Sequence, residues 1–395
     1  MKNQINLNQI KDAALILSQK KESDQNMFLK NLANSLMDHK ELIFKANRKD
    51  IRNAEKNNLS TSMIQRLILD EDLLNDLILR LGNLQKLKSV TGTILEEKLL
   101  KNKLILKKVS VPLGVILVIY ESRPEVTIDV AALCIKSGNA VILKGGSEAI
   151  NTNRALHQCV IEALDKSKLS KKTVTYIEVR IMLNKLLNRS DYIDLVIARG
   201  GYGMVKNVME KSRIPVLAHS AGGARIYIDE SADLSIVEKI IINSKTSKPA
   251  ACNSLDTILI HQKIAKKVLL ILKKTLKNSK VGIVNNQWEQ EFLDLKIGIK
   301  IVKNLEEAIK FINIYSKKHS EGIIAQNKAV INKFKNSIDI AAVFINCSTR
   351  FHDGYEFGMG AEMGISTGKL HARGPVGLKE LTTYKWEVYG NGQIR

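Results

Sequence analysis

The sequence predicts an α/β protein in which a doubly wound parallel-sheet domain is followed by a second α/β domain. From Pro112 onward, apolar strand-like segments alternate with segments of helical spacing. The first of them, "LGVILVIYES", is a continuous apolar run, which is typical of a strand buried on both faces of a parallel sheet. A second alternation begins near residue 233, and 395 residues are enough for two domains.

The chain begins with a predicted helical region over residues 7–87. Apolar residues recur at helical spacing in "MFLKNLANSLMDHKELIFKANRKDI" and in "SMIQRLILDEDLLNDLILRLGNLQKL". Ser60 and Thr61 precede the second run as candidate helix caps. The following "KNKLILKKVSVP" alternates with period two, which indicates an exposed strand or hairpin arm rather than core.

Strand, turn and helix then repeat, as a doubly wound sheet requires. After the first strand, "PEVTIDVAALCIKSGN" has helical spacing and ends at Gly138, and "AVILK" is a second strand. "YIDLVIA" is a third strand, and "IPVLAHSAGGARIYID" is interpreted as a fourth strand-like segment that closes the set. In the second domain we expect helices over 233–244 and 263–278 and strands at "TILIH", "VGIV" and "AAVFIN".

The charge balance raises the question of a polyanionic partner. The chain has 61 Lys and Arg against 40 Asp and Glu, a formal net charge of +21. The lysines are dispersed along helical segments and aromatic residues are only 5%, so the sequence lacks a basic arm with stacking residues. We therefore expect no nucleic-acid partner, whereas an electropositive site for a small anion fits the charge.

The apolar runs and the cysteines exclude two further classes of protein. No run approaches the roughly 18 apolar residues of a membrane span. The N-terminal segment has no signal-peptide core, so we expect a cytoplasmic protein. The four cysteines, at positions 134, 159, 252 and 347, show no CxxC-like spacing, which predicts free thiols and no metal site.

Two glycine-rich turns, "LKGGSE" and "ARGGYG", each lie between a predicted strand and a predicted helix. Glycines at such a turn let a phosphate approach the backbone, and a basic residue precedes each pair. Neither turn is GxGxxG, so ordinary tight turns remain an alternative. The candidate cofactor-binding residues are Lys144, Gly145, Gly146, Ser147, Arg199, Gly200 and Gly201.

The cysteines differ in their local sequence. Cys134 and Cys159 fall on apolar faces of predicted helices and are expected in the core, while Cys347 is ambiguous. Cys252 follows "KPAA" on a predicted loop that leads into a strand. Unpaired backbone N–H groups of such a loop lower a thiol pKa and bind an oxyanion, so Cys252 is a candidate nucleophile, with a buried filler as the alternative.

The C-terminal stretch after Cys347 is long, polar and without periodicity, which is typical of a functional segment. His371 and Arg373 lie two residues apart and would point the same way if the chain were extended there. Together they suit an anionic phosphate or carboxylate.

Four segments match a known family of enzymes. They are "VPLGVILVIYESRPEVTIDVAALCIKSGNAVILKGGSE", "IPVLAH…IYIDESADL", "KPAACNSLDT" and "STRFHDGYEFGMGAEMGISTGKLHARGPVGLKELTTYKW". They closely resemble the γ-glutamyl phosphate reductases, also called glutamate-5-semialdehyde dehydrogenases, a branch of the aldehyde dehydrogenase superfamily. The resemblance runs from the "ANRKDI" helix to the last twenty residues.

The resemblance implies an aldehyde dehydrogenase-like fold and a reductase of γ-glutamyl phosphate. With NADPH, such an enzyme makes glutamate semialdehyde and phosphate, the second step of proline biosynthesis from glutamate. The resemblance implies that Cys252 is the nucleophile and forms a thioester, and that its backbone N–H and the Asn253 side chain steady the oxyanion. The substrate-binding residues that we expect are Glu121, Arg123, Arg350, His371 and Arg373.

The resemblance also implies a domain division and an oligomerisation arm. We expect the N-terminal helices and the dinucleotide-binding domain in residues 1–232, interrupted by arm strands near 96–111, and a catalytic domain with Cys252 in 233–365. Residues 366–395 return to the cofactor domain and complete the arm with "LTTYKWEVYG". We expect a homo-oligomer, and a glutamate 5-kinase is a candidate partner.

The sequence departs from the family pattern at several positions. Glu125 stands where the family usually has Asn, and Ala198 replaces the Pro of "IPRGG". The family motif HxxGxCH becomes residues 219–225, with Ala224 and Arg225 in place of Cys and His. His219 falls near the position of the glutamate that activates water in oxidising relatives, which favours reduction. The alternatives are NAD(P)-dependent oxidation of another aldehyde and a degenerate basic copy that binds nucleic acid.

Overall fold

The computed structural model describes residues 5–219 and 222–395, without the side chains of Ser62, Arg180 and His219. The chain forms two compact units. Unit 1 comprises Met1–Ala218, Gly358–Gly364 and Val376–Arg395, and unit 2 comprises His219–Phe357 and Ile365–Pro375.

Helices and strands are numbered here in chain order through both units. The helices that precede unit 2 are α1 Leu7–Ser18, α2 Glu22–Asp38, α3 Lys40–Lys56, α4 Thr61–Leu67, α5 Glu71–Lys86, α6 Val126–Lys136, α7 Ile150–Lys166, α8 Arg180–Leu186 and α9 Tyr202–Lys211. The helices of unit 2 are α10 Leu234–Thr246, α11 Ala265–Asn278, α12 Leu305–Tyr315 and α13 Lys328–Ser337.

The strands form two parallel sheets, one small arm sheet and one short hairpin. The first seven are β1 Ile94–Leu99, β2 Ile105–Pro112, β3 Val115–Tyr120, β4 Ala140–Lys144, β5 Val174–Tyr176, β6 Leu195–Arg199 and β7 Val216–His219. The next six are β8 Ala224–Ile228, β9 Leu255–His261, β10 Gly282–Val284, β11 Lys296–Val302, β12 Ser320–Ile324 and β13 Ala342–Ile345. The last three are β14 Ile365–Ser366, β15 Gly374–Pro375 and β16 Thr382–Tyr389.

The large sheet of unit 1 has the strand order β5-β4-β3-β6-β7. Strands β4 and β6 pair in parallel with the two edges of β3, whose six residues are all buried. The chain therefore winds from the centre to one side and then to the other. Helix α6 is followed by Gly138 with φ +79°, a left-handed conformation that glycine adopts without strain. This is the helix end that the sequence predicts.

The sheet of unit 2 has six strands in the order β10-β11-β9-β8-β12-β13, and all five pairings are parallel. Its core is formed by apolar residues of β8 and β9 against α10 and α11. Two parallel sheets with intervening helices confirm the predicted α/β fold class.

One predicted segment is divided by the structure. The stretch "IPVLAHSAGGARIYID" is not one strand, because β7 belongs to the sheet of unit 1 and β8 pairs with β9 and β12 of unit 2. The units therefore divide at residues 218 and 219 rather than at 232, and residues 358–364 lie in unit 1. Strands β11 and β12 were not expected from the sequence.

The arm segments form an antiparallel sheet in the order β1-β2-β16. Register pairs run from Thr382 with Pro112 to Tyr389 with Ile105. The period-two alternation of "KNKLILKKVSVP" therefore marks a strand, and the C-terminal strand pairs with it as expected.

Candidate active site

The predicted cofactor residues lie where parallel strands of unit 1 end. Lys144 is the last residue of β4 and Arg199 is the last of β6, while β3 lies between them and leads into Glu121. Ser147–Ala149 forms a single helical turn after the first glycine pair. The predicted cofactor residues therefore share the edge of the sheet at which ligands of open α/β sheets bind.

The turn after β4 is closely packed around its two glycines. A Cβ on Gly145 would lie 2.2 Å from Asn153 Nδ2, and one on Gly146 would lie 2.1–2.5 Å from carboxyl atoms of Glu148. Glu148 Oε1 accepts hydrogen bonds from the backbone N–H of Ser122 at 2.6 Å and from its hydroxyl at 2.9 Å. The carboxylate therefore joins this turn to the segment after β3.

The turn after β6 is closed by the carboxylate of Glu121. Its Oε2 accepts a hydrogen bond from the Gly201 N–H at 2.7 Å, and a Cβ on Gly200 would lie 2.4 Å from the same oxygen. Arg199 Nη1 donates to the carbonyl oxygen of Met363 at 2.9 Å. Glu121, expected to bind substrate, thus caps the start of α9, and a phosphate at this N–H would have to replace it.

Charged side chains gather at the start of α6. Arg123 Nη1 lies 3.8 Å from Glu125 Oε1, and the other carboxyl oxygen of Glu125 is buried without a hydrogen-bond partner among the described residues. Asp129 lies 2.8 Å from Arg80 Nη1. Burial raises the pKa of Asp129 to about 6, although Arg80 lowers it. Glu125 therefore adds a second buried carboxyl group to this helix end.

Two of the four cysteines are buried and two are partly exposed. Cys134 on α6 and Cys159 on α7 are buried, and burial raises the pKa of Cys159 to about 11. Cys347 is partly exposed, and burial raises its pKa. Cys252 is partly exposed on the loop between α10 and β9, which is a position open to a reactant.

Two glycines hold the backbone of Cys252. The Gly223 N–H donates to the carbonyl oxygen of Cys252 at 2.6 Å. A Cβ on Gly222 would lie 2.3 Å from that oxygen and 2.4 Å from the Cβ of Cys252. Any side chain at position 222 would therefore displace the thiol.

Asn253 joins the Cys252 loop to the segment after Cys347. Its side chain is 2% exposed, and its Nδ2 donates to the carbonyl oxygens of His352 at 2.9 Å and Arg350 at 3.3 Å. The Thr349 hydroxyl donates to the backbone oxygen of Asn253 at 2.8 Å. Both amide hydrogens are thus engaged, and the geometry does not support the expected oxyanion role of this side chain.

The Arg350 side chain contacts the same loop at two points. Its Nε donates to the Ser247 hydroxyl oxygen at 3.1 Å, and its Nη1 donates to Asn253 Oδ1. Arg350 was expected to bind substrate, and the structure brings it instead to the two ends of the segment that carries Cys252.

His371 and Arg373 lie in the hairpin of β14 and β15. His371 has φ +67°, in the left-handed region, so the chain is not extended here, and the condition under which the two side chains would point the same way is not met. Arg373 Nη1 lies 2.6 Å from Asp339 Oδ1 and Lys369 lies 2.9 Å from its other oxygen, and both cations lower the pKa of Asp339 to about 2. Nε and Nη2 of Arg373 are buried without partners within residues 5–219 and 222–395.

Two features are absent from residues 5–219 and 222–395. No helix in this part of the chain has the length and apolar character of a membrane span. Within the same residues, no three His, Cys, Asp or Glu side chains are grouped as metal ligands.

Comparison with known proteins decides the family. The pattern of the aldehyde dehydrogenase family matches residues 11–290. The gamma-glutamyl phosphate reductase of Clostridium botulinum (strain Eklund 17B / Type B) is 43% identical, over 98% of this chain and 97% of its own length. The chain belongs to the aldehyde dehydrogenase family, in its γ-glutamyl phosphate reductase branch. The predicted resemblance is thereby confirmed.

Two further gamma-glutamyl phosphate reductases and one other aldehyde dehydrogenase are also similar to this chain. The gamma-glutamyl phosphate reductase of Petrotoga mobilis is also 43% identical, over 98% of this chain and 97% of its own. The crystal structure of the Thermotoga maritima gamma-glutamyl phosphate reductase has a TM-score of 0.93 at 38% identity, over 98% of both chains. An acetylating aldehyde dehydrogenase from Geobacillus thermoglucosidasius has a TM-score of 0.73 at 18% identity, which shows the shared fold alone.

The departures from this family's pattern have different structural settings. Ala198 on β6 and Ala224 on β8 are fully buried. Arg225 is 2% exposed, and its Nη1 lies 3.1 Å from Glu321 Oε1. A buried carboxyl group thus balances the arginine that replaces the family histidine. The side chain of His219, expected near the position of the water-activating glutamate, lies outside the described residues.

Sequence reasoning did not find every residue of this family's candidate site. Gly222 packs against the backbone of Cys252, and the Ser247 hydroxyl oxygen accepts a hydrogen bond from Arg350. The only available signal was the glycine pair in "HSAGGAR", because the other contacts join residues distant in sequence.

Proposed function

We propose that the protein reduces γ-glutamyl phosphate with NADPH to glutamate 5-semialdehyde and inorganic phosphate, the second step of proline biosynthesis from glutamate. The observation that carries this proposal is the thiol of Cys252, partly exposed on a loop whose backbone and flanking side chains are fixed. The full-length similarity to gamma-glutamyl phosphate reductases supports it.

The chemistry follows from the Cys252 sulfur. As a thiolate it attacks the acyl carbon, the C–S bond forms, and the C–O bond to phosphate breaks with its electron pair on the leaving phosphate. After reduction of the thioester, the C–S bond breaks, the aldehyde forms and the thiolate is restored. Because phosphate is a good leaving group, no general base is required. Backbone N–H groups of the loop are the proposed donors to the oxyanion.

The aldehyde dehydrogenase family uses a nicotinamide cofactor, and unit 1 has residues that fit one. Gly145 and Gly200 directly follow β4 and β6, and glycines at such strand ends leave room for the phosphates of a dinucleotide. Lys144 and Arg199 supply positive charge there. When bound, the reduced nicotinamide supplies the hydride for the thioester carbon. We propose NADPH rather than NADH because the reaction is reductive and biosynthetic.

Anionic groups of the substrate require cations in unit 2. We propose Arg373 and His371 for this role, because two buried nitrogens of Arg373 lack partners among the described residues. In unit 1, Arg123 is the proposed cation, while Glu121 acts by shaping the turn after β6.

We also propose a cytoplasmic homo-oligomer. A cytoplasmic location keeps Cys252 reduced. The arm sheet carries an exposed apolar stripe, in which Tyr384 is 48%, Trp386 is 47% and Val388 is 57% exposed, and a second copy would cover it. Because acyl phosphates hydrolyse readily, a glutamate 5-kinase is the proposed supplier of substrate.

The decisive experiment is the reverse reaction with glutamate semialdehyde, NADP and phosphate. We expect NADPH to form only when phosphate is present, and Cys252→Ala to lower the rate by at least about a thousandfold. Cys347→Ala, which removes the other partly exposed thiol, serves as the matched control and retains the rate. A Cys252→Ala enzyme that keeps more than a few per cent of the rate would contradict the assignment.

The same assay tests the alternative of aldehyde oxidation. An oxidising enzyme hydrolyses its thioester with water, so its rate does not depend on phosphate. NADPH formation without phosphate would therefore favour oxidation over the proposed reaction.

A further inference from the structure

Arg350 joins the two ends of the segment that carries Cys252. Its Nε donates to Ser247 Oγ at 3.1 Å, and Ser247 directly follows α10. Its Nη1 donates to Oδ1 of Asn253, the residue after Cys252. One guanidinium group therefore closes the loop between α10 and β9, which we call the Cys252 loop (residues 247–254).

The segment of Arg350 is itself fixed to the Cys252 loop by hydrogen bonds that do not involve its side chain. The carbonyl oxygens of Arg350 and His352 accept from Asn253 Nδ2 at 3.3 and 2.9 Å. The Thr349 hydroxyl donates to the Asn253 carbonyl oxygen at 2.8 Å. The guanidinium is thus presented to the loop by a backbone that three hydrogen bonds hold against Asn253.

The charge of Arg350 also acts on Cys252. Burial lowers the pKa of Arg350, whereas the negative charges of Asp353, Cys252 and Glu356 raise it. Asp353 and Glu356 belong to the same segment as Arg350, and Cys252 belongs to the Cys252 loop, which also carries Lys248. An adjacent cation stabilises a thiolate relative to its thiol.

We infer that Arg350 is a positioning residue that holds the Cys252 loop closed and favours the thiolate of Cys252, rather than a ligand of the substrate. This inference rests on the proposed role of Cys252 as the nucleophile. It assigns Arg350 a task within the Cys252 loop, because Nε and Nη1 of its guanidinium donate to Ser247 and Asn253.

The test is the pH dependence of Cys252 alkylation by iodoacetamide without substrate or cofactor, followed by mass spectrometry of the Cys252 peptide. For Arg350→Gln we expect the alkylation pKa to rise by about one unit and the rate at pH 7 to fall about tenfold. Arg350→Lys keeps the positive charge, so we expect its alkylation pKa to lie close to that of the wild type. Arg189→Gln, which removes an exposed arginine paired with Asp191, is the matched control and leaves the profile unchanged.

Kinetics separate this role from substrate binding. We expect Arg350→Gln to lower kcat while KM for the substrate changes less than threefold. An unchanged alkylation profile with a raised KM would overturn the inference and return Arg350 to the substrate site. If Arg350→Gln does not fold, Ser247→Ala removes only the Nε contact. Alkylation of Ser247→Ala as in the wild type would then overturn the inference.

The alkylation assay is independent of the proposed reaction. A variant series that shifts the Cys252 profile as expected, in an enzyme that shows no phosphate-dependent reverse reaction, would support the inference while contradicting the proposed function.

Discussion

Gly222 and Asn253 together determine where the Cys252 thiol lies. Gly222 packs against the backbone of Cys252, and the buried amide of Asn253 binds two carbonyl oxygens of the segment after Cys347. Such contacts place a reactive atom to within a fraction of an ångström, which is the precision that covalent catalysis needs.

We expect Gly222→Ala to lower kcat by about a hundredfold, because the added Cβ would lie 2.3–2.6 Å from three atoms of Cys252 and the loop must shift. The measurement is the phosphate-dependent reverse rate. Gly82→Ala on α5 is the matched control, because no atom lies within 4 Å of its Cβ. There we expect unchanged activity and a gain of about 0.5–1 kcal/mol in the free energy of unfolding. A Gly222→Ala enzyme with more than half the wild-type rate would contradict this account.

At this scale the sequence predicts residue types better than roles. Cys252 stands out because of its small polar flanks, and its loop position agrees with that prediction. The tasks of Asn253 and Arg350 could not be predicted, because their partners are Ser247 and the backbone of residues 349–352, and those contacts exist only after folding.

The arm sheet illustrates the scale of secondary-structure elements. Successive side chains of β16 point to opposite faces of the sheet, so Tyr384, Trp386 and Val388 share one face. Lys108 of β2 lies over the Tyr384 ring, with its Nζ 3.8 Å from the ring centroid. Three large apolar side chains remain about half exposed on this face. A sheet of only three strands with such a face gains stability when a second surface covers it.

We expect Trp386→Glu combined with Val388→Glu to dissociate the oligomer, because a charge on the stripe cannot be buried against a second copy without a partner. Size-exclusion chromatography with light scattering measures the mass. Leu270→Glu on α11 is the matched control, since Leu270 is 79% exposed outside the arm and its replacement leaves the mass unchanged. An unaltered mass for the double variant would exclude the stripe as the interface.

Among the elements, regular apolar runs were predictable and short or charged strands were not. Strand β3 is six buried residues long, and its apolar run is unmistakable. Strand β12 carries Glu321, whose charge is compatible with a fully buried strand only because Arg225 on the neighbouring β8 pairs with it. This ion pair joins two neighbouring strands of the sheet that are distant in sequence, so the sequence alone does not predict it.

On the scale of the whole molecule, buried ionisable groups link stability to pH. Burial raises the pKa of Asp256 to about 7 although Lys245 lowers it, and burial raises the pKa of Glu321 to about 7 although Arg225 lowers it. The folded state therefore holds these protons more tightly than the unfolded chain. This contribution to stability is complete below the ordinary carboxyl pKa near 4 and is lost as pH rises through about 7.

We expect the thermal midpoint of unfolding to decrease as the pH rises from 5 to 8. Asp256 alone lowers the free energy of unfolding by about 2 kcal/mol over this range. Asp256→Asn should flatten this dependence in thermal unfolding followed by circular dichroism. Asp339→Asn is the control, because Arg373 and Lys369 lower the pKa of Asp339 to about 2 and it stays ionised over the same range. An equal slope in the wild type and Asp256→Asn would show that Asp256 does not carry the effect.

At this scale the alternation of strands and helices predicted two α/β domains, while the boundary between them came out differently. A glycine pair and a change of sheet both fall inside "HSAGGARIYID", and nothing local to that stretch distinguishes a bend within one sheet from a crossing to another.

The pairing of β2 with β16 has a consequence for biosynthesis. Strand β2 leaves the ribosome long before its partner β16 is made. One row of backbone amide and carbonyl groups on β2 therefore has no permanent neighbour during most of translation, when it can pair with foreign strands. Synthesis of β16 is the event that seals this edge, and a chain that stops short of Thr382 would leave it open.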